Sequence, residues 1–178
     1  MNKEEPRVMG ISEEVKRQRE ALGYMLEMLI CSKSVLDEVS VMGIGKLCGE
    51  EVVVKRNSRK VYCDRQGFER IWECIREVNV EYVRVHEELQ GMLKVLMIYE
   101  KSEGIKADDV EQIREWLLNE QWRCLEVVGS RIKEVLNIIE EGEKGDWVAV
   151  VGFDGATYSQ LRTVKDSLES TVSSLRGA

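Results

Sequence analysis

The sequence is poor in the residues that interrupt helices or carry common active-site chemistry. It has 1 proline, Pro6, and 1 histidine, His86, and aromatic residues make up 6% of the chain. Proline breaks helix interiors because it lacks a backbone donor, so 178 residues with one proline favour helix throughout. No uncharged apolar run approaches the ~18 residues that a membrane span needs. We therefore expect a mainly α protein that does not insert into a membrane.

The cysteine pattern predicts reduced thiols. The 5 cysteines are odd in number, and no two of them have the Cys-x-x-Cys spacing. The segment Met1–Gly10 is charged and lacks the apolar core of a signal peptide. Free cysteines are typical of reducing compartments, so we expect a cytoplasmic or nuclear protein.

Metal and cofactor chemistry has little support in the sequence. With no Cys-x-x-Cys spacing and a single histidine, the sequence contains no recognisable zinc set, and a di-iron bundle uses a Glu-x-x-His pair on each of two helices. The glycine-containing segments near Gly43 and Gly152 do not have the spacing of phosphate-binding loops. We therefore predict no metal site and no cofactor.

A long helical hairpin dominates the pattern of apolar residues. Between Phe68 and Tyr99 these residues recur at alternating steps of three and four, which is typical of a heptad helix. A second helical pattern runs from Asp108 to Glu141, after a short polar break at Lys101–Ala107. A break this short returns the chain on itself, so the two helices, each roughly 50 Å long, should be antiparallel.

Two further helices flank the hairpin. The first should begin at the N-cap Ser12, after a flexible lead-in over residues 1–11, and end at Gly43 and Gly45. The last should follow Gly155 and continue to about Arg176. The predicted fold is therefore mainly α: an antiparallel four-helix bundle that forms one domain over residues 1–178.

A small β-hairpin is predicted over residues 51–63, between helices one and two. Valine-rich Glu51–Lys55 and Lys60–Cys63 would be its strands, with Asn57 and Ser58 in the turn. A two-stranded ribbon is only marginally stable by itself, so it must dock on something. Trp147–Phe153 is either a third strand or an extended cover over the end of the bundle.

The turn of this hairpin is strongly basic. It contains Lys55, Arg56, Arg59 and Lys60, which could contact phosphates or an acidic partner. The competing interpretation is a solvated turn whose charges keep strand edges from pairing with other chains. We favour the solvated turn, because no aromatic residue lies among the charges. Binding of nucleic acid or an acidic partner is the alternative function.

The end of helix two has more apolar residues than one buried face needs. Between Met92 and Tyr99 only Lys94 is charged, and the residues that we assign to a partner-binding site are Leu93, Val95, Met97 and Ile98. Such a helix is covered on more than one side, either at the centre of the bundle or at a second interface. We predict a non-catalytic interaction protein, a subunit, adaptor or scaffold that binds a protein partner or a second copy of itself.

The sequence contains no recognisable set of catalytic residues. Cys63 and Cys74 are the candidate nucleophiles, but a reactive thiol needs a nearby base or cation. His86 lies about three helical turns beyond Cys74. The net charge of −7 is concentrated in residues 108–145, which carry ten acidic and five basic side chains, so nucleic-acid binding through that arm is disfavoured. We predict that the protein is not an enzyme.

Overall fold

The computed structural model describes residues 4–44, 58–63, 65–101, 107–142 and 149–177. These residues are mainly helical, and four helices pack against each other beside a three-stranded sheet. The helical elements are α1 (Glu4–Asp37), α2 (Arg65–Lys101), α3 (Ala107–Trp116), a π-helical segment (Leu117–Gln121), α4 (Trp122–Gly142) and α5 (Gly155–Gly177). The strands are β1 (Ser40–Ile44), β2 (Ser58–Cys63) and β3 (Ala149–Asp154).

The first helix starts earlier than the sequence analysis predicts. It begins at Glu4, so most of the predicted flexible lead-in, residues 1–11, is helical and Ser12 is not its N-cap. Pro6 is compatible with this start, because the amide groups of the first turn have no partner within the helix.

The predicted local β-hairpin over residues 51–63 is not supported. Strand β2 pairs in antiparallel register with β3, from Ser58 opposite Asp154 to Cys63 opposite Ala149. The segment Glu51–Lys55, the other predicted strand of the hairpin, lies outside the described residues. Pairing with β3 gives β2 the docking partner that a two-stranded ribbon lacks.

The sheet contains one strand that the sequence analysis assigned to the end of helix one. Strand β1 pairs with β3 from Ser40 opposite Gly152, and the sheet order is β1-β3-β2. The register shifts between Val41 and Ile44. The central strand β3 overlaps the candidate third strand Trp147–Phe153 and extends one residue beyond it, and its two neighbours come from a distant part of the chain.

The predicted third helix is continuous but not uniform. Helix α3, the π-helical segment and α4 follow one another without a gap, and hydrogen bonds in a π-helix span five residues instead of four. The widened segment ends at Gln121, which is buried as its position in the apolar pattern predicts. The guanidinium of Arg176 lies over the ring of the neighbouring Trp122, 4.7 Å from its centroid.

The hydrophobic core is centred on α4. Its inner side chains pack between α1, α2 and α5 and lie close to strand β2. The buried apolar residues of α4 are Cys124, Leu125, Val128, Ile132, Val135, Leu136, Ile138 and Ile139. The other helices contribute complementary rows, which include Leu22, Met25, Ile71, Leu89, Leu161 and Leu168.

Neighbouring helices make their contacts in opposite order along the chain. Between α1 and α5, Tyr24 hydrogen-bonds Thr171 at 3.0 Å, whereas Thr157 donates to Glu38 at 3.0 Å. Between α2 and the third helix, Arg70 lies 2.8 Å from Glu134 and Arg84 lies 3.9 Å from Glu120. In both pairs, residues later in one helix contact residues earlier in the other.

The described helices include none that could cross a membrane. A bilayer span needs roughly 20 consecutive, mainly apolar residues. Charged side chains instead recur along each helix, as they do at Arg76 and Glu87 on α2.

Replacing a core leucine of α4 should destabilise the fold strongly. Leu125 is 0% exposed, so Leu125→Ala should lower the free energy of unfolding by about 3–5 kcal/mol through lost transfer energy and a residual cavity. Leu118 is 66% exposed in the same continuous helix, and Leu118→Ala should change stability by about 0.5 kcal/mol or less. Urea unfolding of the two variants measures the difference, and equal costs would contradict the central position of α4.

The carboxylate of Glu134 should make stability depend on pH. The hydrogen bond from Arg70 lowers the pKa of Glu134 below its ordinary 4.5, opposed in part by burial and assisted by the Cys74 thiol. A group with a lowered pKa in the folded state stabilises it above the unfolded pKa, and this contribution disappears as pH falls through the folded pKa. The stability lost in Glu134→Gln should therefore be largest near neutral pH.

Urea unfolding from about pH 7 to about pH 3 tests this expectation. The difference between the wild-type protein and Glu134→Gln should shrink as the pH falls below the ordinary carboxyl value. Glu169→Gln, an exposed change on α5, provides the control and should cost little at every pH. A difference for Glu134→Gln that is independent of pH would contradict the role of the Arg70 hydrogen bond.

Candidate functional site

An open groove lies between the first half of α1 and the second half of α2. Its volume is about 820 Å³. Its lining residues are Lys16, Arg19 and Glu20 from α1, with Gln90, Gly91, Leu93, Lys94 and Met97 from α2. We call this feature the α1–α2 groove. It contains two of the four predicted partner-binding residues, Leu93 and Met97.

The local sequence explains why the two helices separate here. Gln18 of α1 is buried, and its amide nitrogen donates to the backbone oxygen of Val110 at 2.8 Å, which ties this part of α1 to α3. On α2, Gly91 provides no side chain, and a Cβ added there would meet nothing within 4 Å. The gap between the helices is therefore left unfilled.

The groove combines positive charge with apolar surface. Lys16, Arg19 and Lys94 provide three cations, and Glu20 provides one carboxylate, whereas the whole chain has a net charge of −7. Lys16 and Lys94 are exposed and make no ion pair with any side chain that the structure describes. The groove is thus a locally positive site on a negative molecule, which favours an anionic ligand.

The structure does not bring the four predicted partner-binding residues together. Leu93 and Met97 line the α1–α2 groove. Val95 instead lines a groove of about 480 Å³ between α2 and α3, where Trp116 donates to Glu88 at 2.8 Å. Positions 93 and 95 are about 200° apart around a helix, so a run of apolar residues in sequence divides between two sides.

The fourth predicted residue, Ile98, belongs to a different surface. It is exposed on the side of α2 that faces away from the core, as are four other large apolar side chains of this helix. We call this set the outer line of α2, and its members are Trp72, Val80, Val83, Met97 and Ile98. Met97 contributes to both the outer line and the α1–α2 groove.

The predicted basic turn is only partly described. Lys55 and Arg56 lie outside the described residues. Arg59 belongs to strand β2 rather than to a turn, with Phe153 as its partner on β3, and Lys60 is paired with Gly152. Nucleic-acid binding through these four residues therefore stays a prediction from the sequence.

The two buried cysteines of the α2–α4 interface are poor nucleophiles. Burial, with the neighbouring Glu134 carboxylate, raises the pKa of the Cys74 thiol to about 12. Its sulfur donates to Glu134 at 3.4 Å. Burial also raises the pKa of Cys124, with Glu81 as the main charged neighbour. Both thiols stay protonated near neutral pH, and the thiolate is the reactive form.

No metal centre is formed by the residues that the structure describes, since no group of three or more His, Cys, Asp or Glu side chains could hold an ion. His86 is half-buried and stacks on Tyr82, with 5.2 Å between the ring centroids. Lys33 of α1 lies 5.7 Å above the same Tyr82 ring. Tyr82 therefore takes part in the contact between α1 and α2, and His86 packs against Tyr82 within α2.

Sequence reasoning missed the cations of the groove. Lys94 was visible as the one charge in the apolar end of α2. Lys16 and Arg19 lie next to the inner residues Val15 and Gln18 on α1, which is an ordinary position for charges on a helix. Their placement opposite Lys94 depends on which parts of two distant helices meet, and no local pattern encodes that.

Comparison with protein-family models, with curated proteins and with solved structures gives no match for this chain.

Alkylation of the native protein should distinguish the described cysteines. With iodoacetamide at about pH 8, exposed Cys31 should react first, whereas Cys74 and Cys124 should stay unmodified because their thiols are buried and protonated. Mass spectrometry of tryptic peptides measures each site separately. Protein unfolded in urea is the control, in which all three should react. Labelling of native Cys74 as fast as Cys31 would contradict its burial.

Proposed function

We propose that this chain is a non-catalytic protein–protein interaction module, a subunit, adaptor or scaffold of a larger assembly that acts through helical surfaces. The observation that carries the proposal is that α2 has large apolar side chains on two opposite sides. One side packs in the core and the other side is exposed.

The inner side of α2 is already packed against other helices. Ile71, Val78 and Leu89 are buried against the neighbouring helices. On the outer line, Trp72 is 61% exposed, Val80 is 64% exposed and Val83 is 61% exposed. Single exposed apolar residues are common, but several large ones on the side of one helix that faces away from the core favour a surface that binds another protein.

The arrangement of the helices is suited to binding a partner on the outer line of α2. We infer that they form an antiparallel four-helix bundle, on the basis of the opposite order of contacts between neighbours. In such a bundle, the core side of α2 fixes the direction of its outer line. A partner helix could then bind without any rearrangement of the backbone, which limits the entropy cost of association.

A small enzyme is the competing class. It would need a nucleophile or acid–base pair in a concave site. Cys74 and Cys124 are buried with raised pKa values, and neither lines the α1–α2 groove. The interaction function is therefore favoured, in the cytoplasmic or nuclear location that the free cysteines predict.

Charge on the outer line should abolish association. In the double variant Val80→Glu/Val83→Glu, two carboxylates would have to be buried against an apolar partner, which is costly. Folding should hardly change, because both positions are exposed. Sedimentation velocity measures self-association, and quantitative affinity capture from the native source measures retention of other proteins.

The matched control is Ser170→Glu/Ser174→Glu, which adds the same charge at exposed positions of α5. We expect a complex that forms with the wild-type protein and with this control but not with the α2 variant. If the wild-type protein stays monomeric and the α2 variant retains every protein that the wild type retains, the proposal is wrong.

A further inference from the structure

We infer that the α1–α2 groove binds an acidic amphipathic helical segment of a protein partner. The inference rests on the proposed interaction function and names the partner chemistry for a surface separate from most of the outer line of α2. Positive charge and apolar surface occur together in this groove, and a ligand that matches it must supply both negative charge and apolar side chains.

The charges select the acidic character of the partner. Lys16 and Arg19 line one wall and Lys94 lines the other, with Glu20 as the one carboxylate among the lining residues that the structure describes. Carboxylates of a segment that lies between the two walls can approach cations on both sides. A basic segment would instead meet three like charges, and like-charge contacts suppress incorrect partners.

The apolar residues select an amphipathic partner over a simple anion. Leu93 and Met97 are one helical turn apart and lie on the groove side of α2. Leucine or methionine side chains spaced three or four residues apart on a partner helix could pack against both. Open space above Gly91 allows the partner backbone to come close to α2.

A second copy of this chain fits the groove less well than a separate acidic segment. The third helix carries most of the negative charge of the sequence, but several of its carboxylates already pair with arginines within the molecule. Glu120 lies near Arg84, Glu126 near Arg176 and Glu134 near Arg70. A second copy would have to break such pairs in order to present these carboxylates.

Synthetic peptides test the inference directly. The probe is a fluorescein-labelled peptide of roughly 18 residues, with leucine at i, i+3, i+4 and i+7 spacing and glutamate on the flanking positions. One control replaces every glutamate by lysine, and the other replaces the leucines by serine. Fluorescence anisotropy with the full-length protein should show binding of the acidic amphipathic peptide alone, weakening as salt increases.

Protein variants locate the binding site. Lys94→Glu should weaken binding about tenfold, since it replaces an attraction by a repulsion. Met97→Gln should weaken binding about fivefold through lost apolar contact. Lys133→Glu makes the same charge change at an exposed position of α4 and should leave the affinity within about twofold of wild type.

Several outcomes would overturn the inference. These are no binding of the acidic amphipathic peptide, equal binding of either control peptide, or the same affinity for Lys94→Glu as for Lys133→Glu. Binding of a single-stranded oligonucleotide that needs Lys94 but not Met97 would make the groove a general anion site and would also overturn it. Self-association that Lys94→Glu abolishes would assign the groove to a second copy instead.

The Val80→Glu/Val83→Glu variant separates this inference from the proposed function. If the peptide does not bind but that variant loses a native complex, the inference fails and the interaction function stands. If the peptide binds the wild type and the α2 variant equally, the groove is an independent binding site. Loss of peptide binding in the α2 variant would place the peptide on the outer line and contradict the inference.

Discussion

Eight apolar side chains of α4, from Cys124 to Ile139, are buried between α1, α2 and α5. A helix with apolar residues on this much of its circumference has to be covered on several sides at once. Gly129 allows close contact on one of those sides, because a Cβ added there would lie 3.4 Å from the Cβ of Leu168 on α5. The positions of the other helices therefore depend on α4, and α2 buries the side that faces α4 and α1.

Several acidic side chains of α4 form ion pairs within the molecule. Glu140 accepts from Tyr158 at 2.7 Å and from Arg162 at 3.1 Å, and these contacts lower its pKa. Glu126 and Glu134 also have arginine partners on neighbouring helices. Exposed pairs of this kind contribute little stability each, but they align neighbouring helices. Part of the negative charge of α4 is thus paired within the molecule, whereas Lys16 and Lys94 of the α1–α2 groove make no ion pair with any side chain that the structure describes.

Sequence periodicity was sufficient for the long helices and insufficient for contacts between distant segments. The alternating steps from Ile71 to Leu96 predict α2 because each step depends only on neighbouring residues. The pairing of β2 with β3 joins segments about ninety residues apart in sequence, and a strand pattern does not specify such a partner. The sequence analysis assigns Leu93 and Val95 to the same binding site because they are close in sequence. The helix nevertheless places their side chains on different sides.

The two grooves beside α2 occur where the helix packed against it changes from α4 to α3. Helix α3 spans Ala107–Trp116, and its buried apolar residues are Val110 and Ile113, far fewer than those of α4. Opposite this shorter cover, α2 has Leu93 and Val95 only partly buried, with Gly91 between the two grooves. Gln18 adds to the effect, because its hydrogen bond to Val110 ties α1 to α3 and leaves the space beside Lys94 open. The same change of neighbour that thins the core at this end of α2 thus leaves open the α1–α2 groove, in which we propose that an acidic helix of a partner binds.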